Sequence, residues 1–406
     1  MKVLFMNTVC GTGSTGGIIL RLQNFFRSRG HETLFLYGRG DRRDLPDTLR
    51  VTSRPELYLN AGLARLFGTQ GSLSLFSAAK IEREIKKFAP DAVVLGNIHG
   101  YYLNEKRLFG ILKKLGIPTV YFMFDEYAFL GKCVYSGDCE RYKTGCGHCP
   151  NLKDYPKTFA DRSAAIFKQK LKNYANFDNL YFVSTPYNCE RAKSSPLFAG
   201  TDGRVIPLGW GIDVQNVYRP TEFDAVAEKY GIDTKKTVIL SVGELSDTRK
   251  GVEKVFFAMA EKCKDKSLQF IHVGNDDPAV RVPENCTSLP FIKDQTELSA
   301  LFTLADLFVI TSKIDTYPTV CLISQACGTP IAGFRASGVT GTGCPDTSFF
   351  ADPDDEGALV AYVYSRGKKT DEVSRVCREY SLENFDAEAK ARKLEDLIEK
   401  AVKKQS

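Results

Sequence analysis

The sequence lacks several features that mark other classes of protein. No apolar run approaches the roughly 20 residues that a membrane-spanning helix needs. Met1 leads directly into the apolar stretch 3–6, so we expect a cytoplasmic protein without a signal peptide. There is no arginine-rich helix and no stripe of interleaved basic and aromatic residues, which argues against a nucleic-acid partner. The sequence also shows no internal repeat, so nothing indicates a repeat architecture.

What is present is an ordinary globular composition, with 26% charged and 43% hydrophobic residues. A chain of 406 residues is too long for one ordinary core, so we expect two domains. The net charge of +6 suits an anionic substrate such as a nucleotide diphosphate, or the surface of an anionic membrane. A solvated surface would give the same weak excess of positive charge.

Short apolar stretches alternate with amphipathic segments along most of the chain. They predict two series of strands, at 3–7, 34–38, 91–97, 118–125 and 180–186, and then at 237–243, 268–274, 288–292, 307–311 and 330–334. Helices are predicted near 18–28, over 60–87 and over 382–404. This alternation indicates an α/β fold with doubly wound parallel sheets. The glycine- and proline-rich segment 204–220 predicts a linker between two domains.

Residues 305–334, ADLFVITSKIDTYPTVCLISQACGTPIAGF, form the most informative stretch. They predict a buried strand, a loop opening on Asp315, a helix over 322–327 and a second strand, which together make a βαβ unit. The pattern ADxFxxxS, an acidic residue, a YP turn and ACGTPxxGF resembles the donor-sugar site of family 4 retaining glycosyltransferases. In that family two glutamates separated by seven residues hold the sugar nucleotide. Here Asp315 occupies the first position and Ile323 the second.

This resemblance covers nearly the whole chain and implies the GT-B fold. We therefore expect two Rossmann-like domains, a deep cleft between them and a C-terminal crossover helix. The expected boundaries are an acceptor-side domain over 1–206 with a cysteine-rich loop at 131–150, a nucleotide-sugar-binding domain over 207–380, and a helix over 381–406 that packs back on the first domain. The resemblance also assigns Asp315 to the donor-sugar hydroxyl groups, and Thr316, Tyr317 and Thr319 to the donor.

The first βα turn, CGTGSTGGI at 10–18, is rich in glycine. Such a turn lets the backbone approach a ligand, and the following helix presents free N–H groups, although similar turns also simply pack helices on strands. Its context, NxxxGxGSTGxI, resembles a bacterial polysaccharide subgroup of the family, of the colanic-acid or capsule type. That resemblance assigns Gly13, Ser14 and Gly16 to a phosphate or to the acceptor side.

The segment SVGELSDTRKG, at 241–251, follows the first strand of the second series. In family 4 an arginine and a lysine after this strand bind the diphosphate and neutralise the departing nucleotide, so no catalytic metal is expected. The resemblance assigns this role to Lys250 and the adjacent Arg249. The usual arginine position is occupied here by Glu244.

The segment GNIHGYYLN, at 96–104, places His99 and two tyrosines at the carboxyl end of a strand, where α/β sheets bind ligands. A single histidine is more often structural, but the subgroup resemblance favours a sugar or acceptor site, with His99 facing the acceptor and Tyr101 and Tyr102 available to stack on sugar rings. The family also has a histidine directly before an aspartate near the reacting sugar. Here Phe124 precedes Asp125, and an aromatic ring cannot make the hydrogen bonds of a histidine. The candidate catalytic residues are Asp315, His99 and Asp125.

Most of the twelve cysteines lie in predicted core elements, where a thiol behaves as a small apolar group. Cys133, Cys139, Cys146 and Cys149 are different, because they fall within 17 residues and end in CGHC. Their spacing resembles a structural zinc knuckle, which would stabilise a loop that has no core of its own. Reduced thiols or a disulfide are the alternatives, and His148 is a competing ligand.

Together these patterns predict a hexosyltransferase-like enzyme of surface-polysaccharide synthesis. It would move a sugar from a nucleotide sugar to a carbohydrate or lipid-linked acceptor with a retaining mechanism, and it would have peripheral contact with the inner membrane. The alternative is a non-catalytic partner or sugar-binding protein that kept the fold and lost donor chemistry. Its evidence is a set of departures from the family pattern, namely Phe124 for histidine, Glu244 for arginine, Ile323 for glutamate and Gly341 for glutamate.

Overall fold

The structure is a computed structural model that describes residues 1–40, 45–201, 203–263, 267–275, 277 and 279–404. It divides into two compact units. The first comprises Met1–Gly209 together with the C-terminal residues from Ala391 onward, and the second comprises Trp210–Lys390. Each unit is built on one parallel sheet, so the predicted doubly wound α/β fold is confirmed.

The first unit contains a seven-stranded sheet within the described residues, in the order β3-β2-β1-β4-β5-β6-β7. Its strands are β1 (Lys2–Asn7), β2 (Glu32–Tyr37), β3 (Thr48–Arg50), β4 (Ala92–Leu95), β5 (Thr119–Phe122), β6 (Leu180–Ser184) and β7 (Val205–Pro207). Its helices are α1 (Gly13–Ser28), α2 (Arg54–Phe67), α3 (Leu75–Phe88), α4 (Glu105–Leu115), α5 (Ser163–Tyr174) and α6 (Pro186–Lys193). Strands β4, β5 and β6 are buried along their whole length, as expected for a parallel sheet covered on both faces.

The second unit contains a six-stranded sheet in the described part of the chain, in the order β10-β9-β8-β11-β12-β13. Its strands are β8 (Thr237–Val242), β9 (Leu268–Val273), β10 (Cys286–Leu289), β11 (Leu307–Ile310), β12 (Ile331–Phe334) and β13 (Phe349–Ala351). Its helices are α7 (Asp224–Tyr230), α8 (Ala258–Lys262), α9 (Gln295–Leu304), α10 (Thr319–Ala326), α11 (Glu356–Tyr364) and α12 (Asp371–Asn384). Between β8 and α8 the chain forms a 3-10 turn at Thr248–Lys250 and a π-helical turn at Val252–Phe257.

The last helix, α13 (Ala387–Lys403), begins in the second unit and continues into the first. Its apolar stripe, at Ala391, Leu394, Ile398 and Ala401, is buried. The buried carboxylate of Glu395 accepts a hydrogen bond from His31 Nε2 at 2.7 Å. This contact joins the C-terminal helix to the start of β2 in the first unit.

The ten predicted strands are all present, but several predicted elements differ from the structure. The sequence patterns missed β3, β7 and β13, because edge strands of three residues are too short to show a period. Strand β7 lies inside the segment predicted as a linker, and the strand predicted at 288–292 lies at Cys286–Leu289.

Two predicted helical regions are also corrected, because each is a pair of helices. The region 60–87 is divided between α2 and α3, since α2 ends at Gly68 in the left-handed conformation. The region 382–404 is divided between α12 and α13 at Phe385. No helix in the described residues combines the length and the apolar character needed to cross a membrane.

Candidate functional site

In the second domain, the ends of β8 and β11 bring two predicted residues together. Lys250 Nζ lies 2.7 Å from Asp315 Oδ2, across 65 residues of sequence. Their side chains are 29% and 18% exposed, so a ligand can reach both. The motif that the sequence assigned to the diphosphate therefore contacts the motif that it assigned to the sugar.

Local backbone interactions fix the position of Lys250. The hydroxyl of Thr311, at the end of β11, donates to the carbonyl oxygen of Lys250 at 2.5 Å. Gly251 follows in the left-handed region, at φ 65°, and a Cβ there would lie 2.9 Å from the carbonyl oxygen of Thr311. Any other residue would be strained at this position and would push the lysine away from β11.

Arg249, the second predicted diphosphate ligand, is more exposed than Lys250. Its guanidinium forms two hydrogen bonds with Asp247, from Nε at 3.0 Å and from Nη2 at 2.7 Å. These contacts lower the pKa of the Asp247 carboxyl even though burial opposes the shift. Glu244, at the family's usual arginine position, is exposed and accepts a hydrogen bond from the Ser246 hydroxyl at 3.0 Å.

The loop that carries Asp315 packs against the glycine-rich loop at 337–343. The amide of Gly338 donates to the carbonyl oxygen of Asp315 at 2.9 Å. A Cβ at Gly338 would lie 1.7 Å from the carbonyl oxygen of Thr316, so only glycine allows this approach. Gly341 is different, since a Cβ there would meet nothing within 4 Å.

The other predicted donor residues differ in their exposure. Thr319 begins α10 and is partly exposed, whereas Thr316 is buried. The ring of Tyr317 packs edge-on against Trp210, with 5.2 Å between centroids, and burial raises the pKa of its phenol. Ile323 lies in α10 and is only 4% exposed, so its side chain belongs to the packed interior.

In the first domain, the ends of β4 and β5 bring together two further candidates, His99 and Asp125. His99 Nε2 lies 2.8 Å from Asp125 Oδ2, and the side chains are 9% and 11% exposed. The amide of Tyr127 donates to the other carboxylate oxygen at 2.9 Å. Phe124 cannot take part, because it is buried and stacks on Phe122.

This pairing determines what His99 can do chemically. A carboxylate only accepts hydrogen bonds, so the Nε2 atom of His99 is the donor and the neutral ring keeps a lone pair on Nδ1. That Nδ1 atom is buried and has no hydrogen-bond partner among the described residues. A buried acceptor without a partner is costly, so a hydroxyl group donating to Nδ1 would be stabilising.

Aromatic side chains surround His99. The rings of Tyr127 and Tyr155 lie 5.2 and 5.9 Å from its ring, centroid to centroid. Burial raises the pKa of Tyr101 to about 12, so its hydroxyl stays protonated at neutral pH. Tyr102 is fully buried, and the prediction that it could stack on a sugar ring is wrong.

Sequence reasoning missed two residues near His99. Tyr155 lies beside the imidazole, and Arg39 hydrogen bonds to the Tyr155 hydroxyl. Each comes from a different stretch of the chain, so no local spacing could have identified them. Asn104, the last residue of the same motif, serves the fold, since its side chain caps α4 by accepting a hydrogen bond from the amide of Arg107.

The glycine-rich turn before α1 contains both exposed and packed residues. Gly13 and Ser14 are exposed at the start of the helix, whose first turn carries no acidic residue. Gly16 is buried, and a Cβ there would lie 3.1 Å from the carbonyl oxygen of Val9. Gly16 therefore packs the helix onto the preceding turn, while Gly13 and Ser14 remain accessible to an anion.

The four clustered cysteines lie together in the first domain. Cys133, Cys139, Cys146 and Cys149 line one small cavity. None of them forms a disulfide in the structure.

Known proteins resemble this chain in sequence and in fold. The family described as "Glycosyl transferases group 1" matches residues 222–383. The protein named "Putative colanic acid biosynthesis glycosyl transferase WcaC", from Escherichia coli K12, is 24% identical over 347 residues, which span 82% of each chain. Residues 222–383 therefore match the group 1 glycosyl transferases, and the resemblance drawn from the motifs is confirmed.

Solved structures agree with this assignment at the level of the fold. Alr3699/HepE of Anabaena, solved with UDP-glucose, has a TM-score of 0.67 at 13% identity, covering 98% of this chain and 100% of that one. A sucrose-phosphate synthase of Thermosynechococcus elongatus has a TM-score of 0.67 at 15% identity and covers 98% of each chain. The protein therefore has the GT-B fold.

Proposed function

We propose that this protein transfers a sugar from a nucleotide sugar to a carbohydrate or lipid-linked acceptor in surface-polysaccharide synthesis, with a retaining mechanism. The observation that carries the proposal is the contact between Lys250 and Asp315. It joins the family's phosphate-binding position to its sugar-binding position in one partly exposed pair. The WcaC relative, named for colanic acid biosynthesis, supports the polysaccharide assignment.

The donor would bind in the second domain. Lys250 and Arg249 would neutralise the diphosphate, which lowers the cost of the charge that develops when the nucleotide leaves. Asp315 would release Lys250 and accept hydrogen bonds from the sugar hydroxyl groups, while the backbone at Thr316 and Thr319 would hold the rest of the donor. Alr3699/HepE was solved with UDP-glucose, which supports a UDP-sugar as the first donor to test.

The acceptor would bind in the first domain, at the carboxyl ends of β4 and β5. Asp125 would hold the His99 ring, and His99 Nδ1 would accept a hydrogen bond from the hydroxyl group that is glycosylated. Gly13 and Ser14 would contact a phosphate or the acceptor through exposed backbone. Neither group is required as a nucleophile, because the leaving diphosphate and the oxocarbenium-like sugar are what must be stabilised.

An apolar patch on α2 and α3 supports a lipid-linked acceptor and peripheral contact with a membrane. Of thirteen large hydrophobic residues exposed in the described chain, seven lie within residues 58–76: Tyr58, Leu59, Leu66, Phe67, Leu73, Leu75 and Phe76. Phe159 extends this patch, since its amide bonds to the carbonyl oxygen of Arg65 at 2.8 Å. Scattered apolar residues are normal on a surface, but so dense a group indicates an interaction site.

Basic residues border the apolar patch and favour an anionic bilayer as its partner. Arg65 lies two turns after Tyr58 on α2, and Arg83 lies two turns after Phe76 on α3, so each pair shares a helix face. Lys86 and Lys87 are exposed at the end of α3. Helices that combine exposed aromatic and basic residues in this way lie in the interface of anionic membranes.

A ligand panel tests the proposed donor chemistry. Purified protein is screened against UDP-, GDP- and ADP-sugars by thermal shift, and each hit is measured by calorimetry with magnesium and with EDTA. We expect one nucleotide class to raise the melting temperature without a metal requirement, because ligand binding to the native state stabilises it. Binding that depends on magnesium would contradict the assignment of the diphosphate to Lys250 and Arg249.

The non-catalytic alternative rests on the four departures from the family pattern, and the structure bears on three of them. At Gly341 an added Cβ would meet open space. Phe124 cannot form a hydrogen bond with Asp125, but His99 forms one. Ile323 is packed in α10, so Ile323→Glu would place a carboxylate in an apolar site unless the ribose meets it. We expect Ile323→Gln to bind the nucleotide sugar at least as tightly as wild type. If neither wild type nor the variants Ile323→Gln and Ile323→Glu bind any donor, the non-catalytic alternative holds.

A further inference from the structure

The chain between β5 and α5 is long and nearly free of regular structure. Residues 123–162 contain only two short 3-10 turns, Tyr127–Phe129 and Arg141–Lys143. A loop of this length without secondary structure is uncommon in a compact domain and is usually functional. Yet its first part is buried, including Phe129 and Tyr142. Something other than a helix or strand must hold these residues in place.

Four thiols converge inside this segment. The thiol of Cys133 hydrogen bonds to Cys149 and is close enough to Cys146 to interact with it electrostatically. Cys146 interacts in the same way with Cys139. All four line a cavity of about 20 Å³, which has room for a single water-sized occupant.

Backbone groups around the cavity suit negatively charged sulfur. The amide of Gly131 donates to Cys146 Sγ at 3.2 Å, and the amide of Asn151 donates to Cys149. A Cβ at Gly131 would lie 2.9 Å from the Cβ of Cys146, so glycine permits the approach. Hydrogen bonds to the charged form stabilise a thiolate.

Two buried lysines lie beside the same thiols. Lys132 Nζ donates to the carbonyl oxygens of Asp154 and Pro156, and Lys170 Nζ donates to those of Leu130 and Gly131. Both side chains are almost fully buried. No carboxylate within the described ranges forms an ion pair with either ammonium group. Lys170 interacts electrostatically with the carboxylates of Glu105 and Asp125, although neither forms an ion pair with it. Buried charge is costly, so a further anionic centre nearby would stabilise both ammonium groups.

We propose that Cys133, Cys139, Cys146 and Cys149 bind one structural zinc ion. Four thiolates and one Zn²⁺ carry a net charge of −2, which the two lysine ammonium groups offset. Tetrahedral coordination by four thiolates is the usual composition of a structural zinc site. The ion would cross-link residues 133–149 and thereby support Tyr155, which packs beside His99 in the proposed acceptor site.

A second group of ligand-type side chains is a poorer cation site. His31, Glu395 and Glu399 have ligand atoms within 4.8 Å of one another, the only such group of three in the described residues. Arg29 Nε lies 3.3 Å from Glu395 Oε2, and the amino terminus lies 3.4 Å from His31 Nδ1. These cations already neutralise the group. The four cysteine thiols lie further apart than the ligand atoms of this group, so zinc binding would have to contract the cavity.

Metal analysis of the full chain tests the zinc site without any activity assay. Purified protein should contain about one zinc per chain, and Cys146→Ser should contain much less. Cys344→Ser is the matched control, because Cys344 is a buried cysteine outside the cluster. This variant should contain as much zinc as the wild type. Replacement by Co²⁺ should give sulfur-to-cobalt charge-transfer bands in the wild type and in Cys344→Ser.

Removal of the metal from the wild type keeps the proposal testable if Cys146→Ser fails to fold. A chelator should lower the melting temperature, expose the four thiols to alkylation and open residues 131–150 to protease, and added zinc should reverse all three effects. Wild type that contains no zinc, takes up none and keeps its stability would overturn the proposal. A disulfide among the four cysteines in the purified protein, or iron in place of zinc, would also overturn it.

Discussion

The second domain presents its candidate charges at partly exposed positions, whereas the first domain buries them. Lys250 and Asp315 are 29% and 18% exposed, while His99 and Asp125 are 9% and 11% exposed. An exposed ion pair contributes little to stability, so a ligand can separate it at small cost. A buried pair is part of the fold. The comparison teaches that substitutions in the second domain should change binding, while those in the first should change catalysis and stability together.

The same two regions differ in their match to the family model. The family match at residues 222–383 lies inside the second domain. The first domain holds the apolar patch, the long segment 123–162 and the four clustered cysteines. These features are the ones that distinguish the first domain from the matched one.

The largest effect is expected from His99→Asn, which tests the buried pair. We expect kcat to fall by about 100- to 10,000-fold, as when a positioned acid–base group is removed, because the acceptor hydroxyl loses its partner on Nδ1. Nucleotide affinity, measured by calorimetry, should stay unchanged. His31→Asn is the control, since His31 bonds to Glu395 and should affect stability only. Equal losses of kcat in the two variants would remove His99 from the site.

The next effect concerns the exposed pair. Lys250→Ala should weaken nucleoside diphosphate binding by roughly 1.5–3 kcal/mol, the range for a hydrogen bond to a charged group, with little change in melting temperature. Arg249→Ala should cost less, because Arg249 is 46% exposed and solvent weakens its contribution, whereas Lys250 is 29% exposed. Lys254→Ala, an exposed lysine four residues further on, is the control. If calorimetry finds that Lys250→Ala and Lys254→Ala both bind the nucleoside diphosphate as tightly as wild type, Lys250 is not a diphosphate ligand, and the contrast drawn between the two domains fails.

A third prediction tests the apolar patch of the first domain. Phe76→Ser should weaken binding to vesicles of anionic lipid by about 1.5–3 kcal/mol, the value for burying one large apolar side chain. Phe291→Ser is a matched control in the second domain, because Phe291 is 75% exposed and lies outside the patch. Sedimentation with vesicles of anionic and neutral lipid measures both. Binding that survives Phe76→Ser, or that ignores lipid charge, would exclude this surface.

The smallest effect concerns alkaline pH. Burial raises the pKa of Cys286 to about 12, above the value near 9 expected when the chain is unfolded. The native thiol keeps its proton where the unfolded one loses it, so this stabilisation is present below pH 9 and is lost as pH rises towards 12. By pH 10 the loss should reach about 1 kcal/mol. Urea unfolding from pH 8 to 10 measures it, and Cys286→Val should show a smaller slope than wild type.

The sequence by itself determined the interior strands, the α/β class and the family. Most interior strands are continuous apolar runs, because a parallel sheet is covered on both faces. The family motifs are local patterns of neighbouring residues. The edge strands β3, β7 and β13 were not predicted, since each has only three residues and is paired on one side only. The site residues themselves stay predictions, although the motifs that contain them were found without the fold.

Only the tertiary structure decided which of those residues meet. The contact of Lys250 with Asp315 joins positions 65 apart, and that of His99 with Asp125 joins positions 26 apart. The tertiary structure also shows that Gly13 is exposed while Gly16 is buried, and that Tyr155 lies beside His99. The reason is that parallel strands bring their carboxyl ends to one edge of the sheet, so residues distant in the chain become neighbours there. No local pattern in a sequence records that proximity.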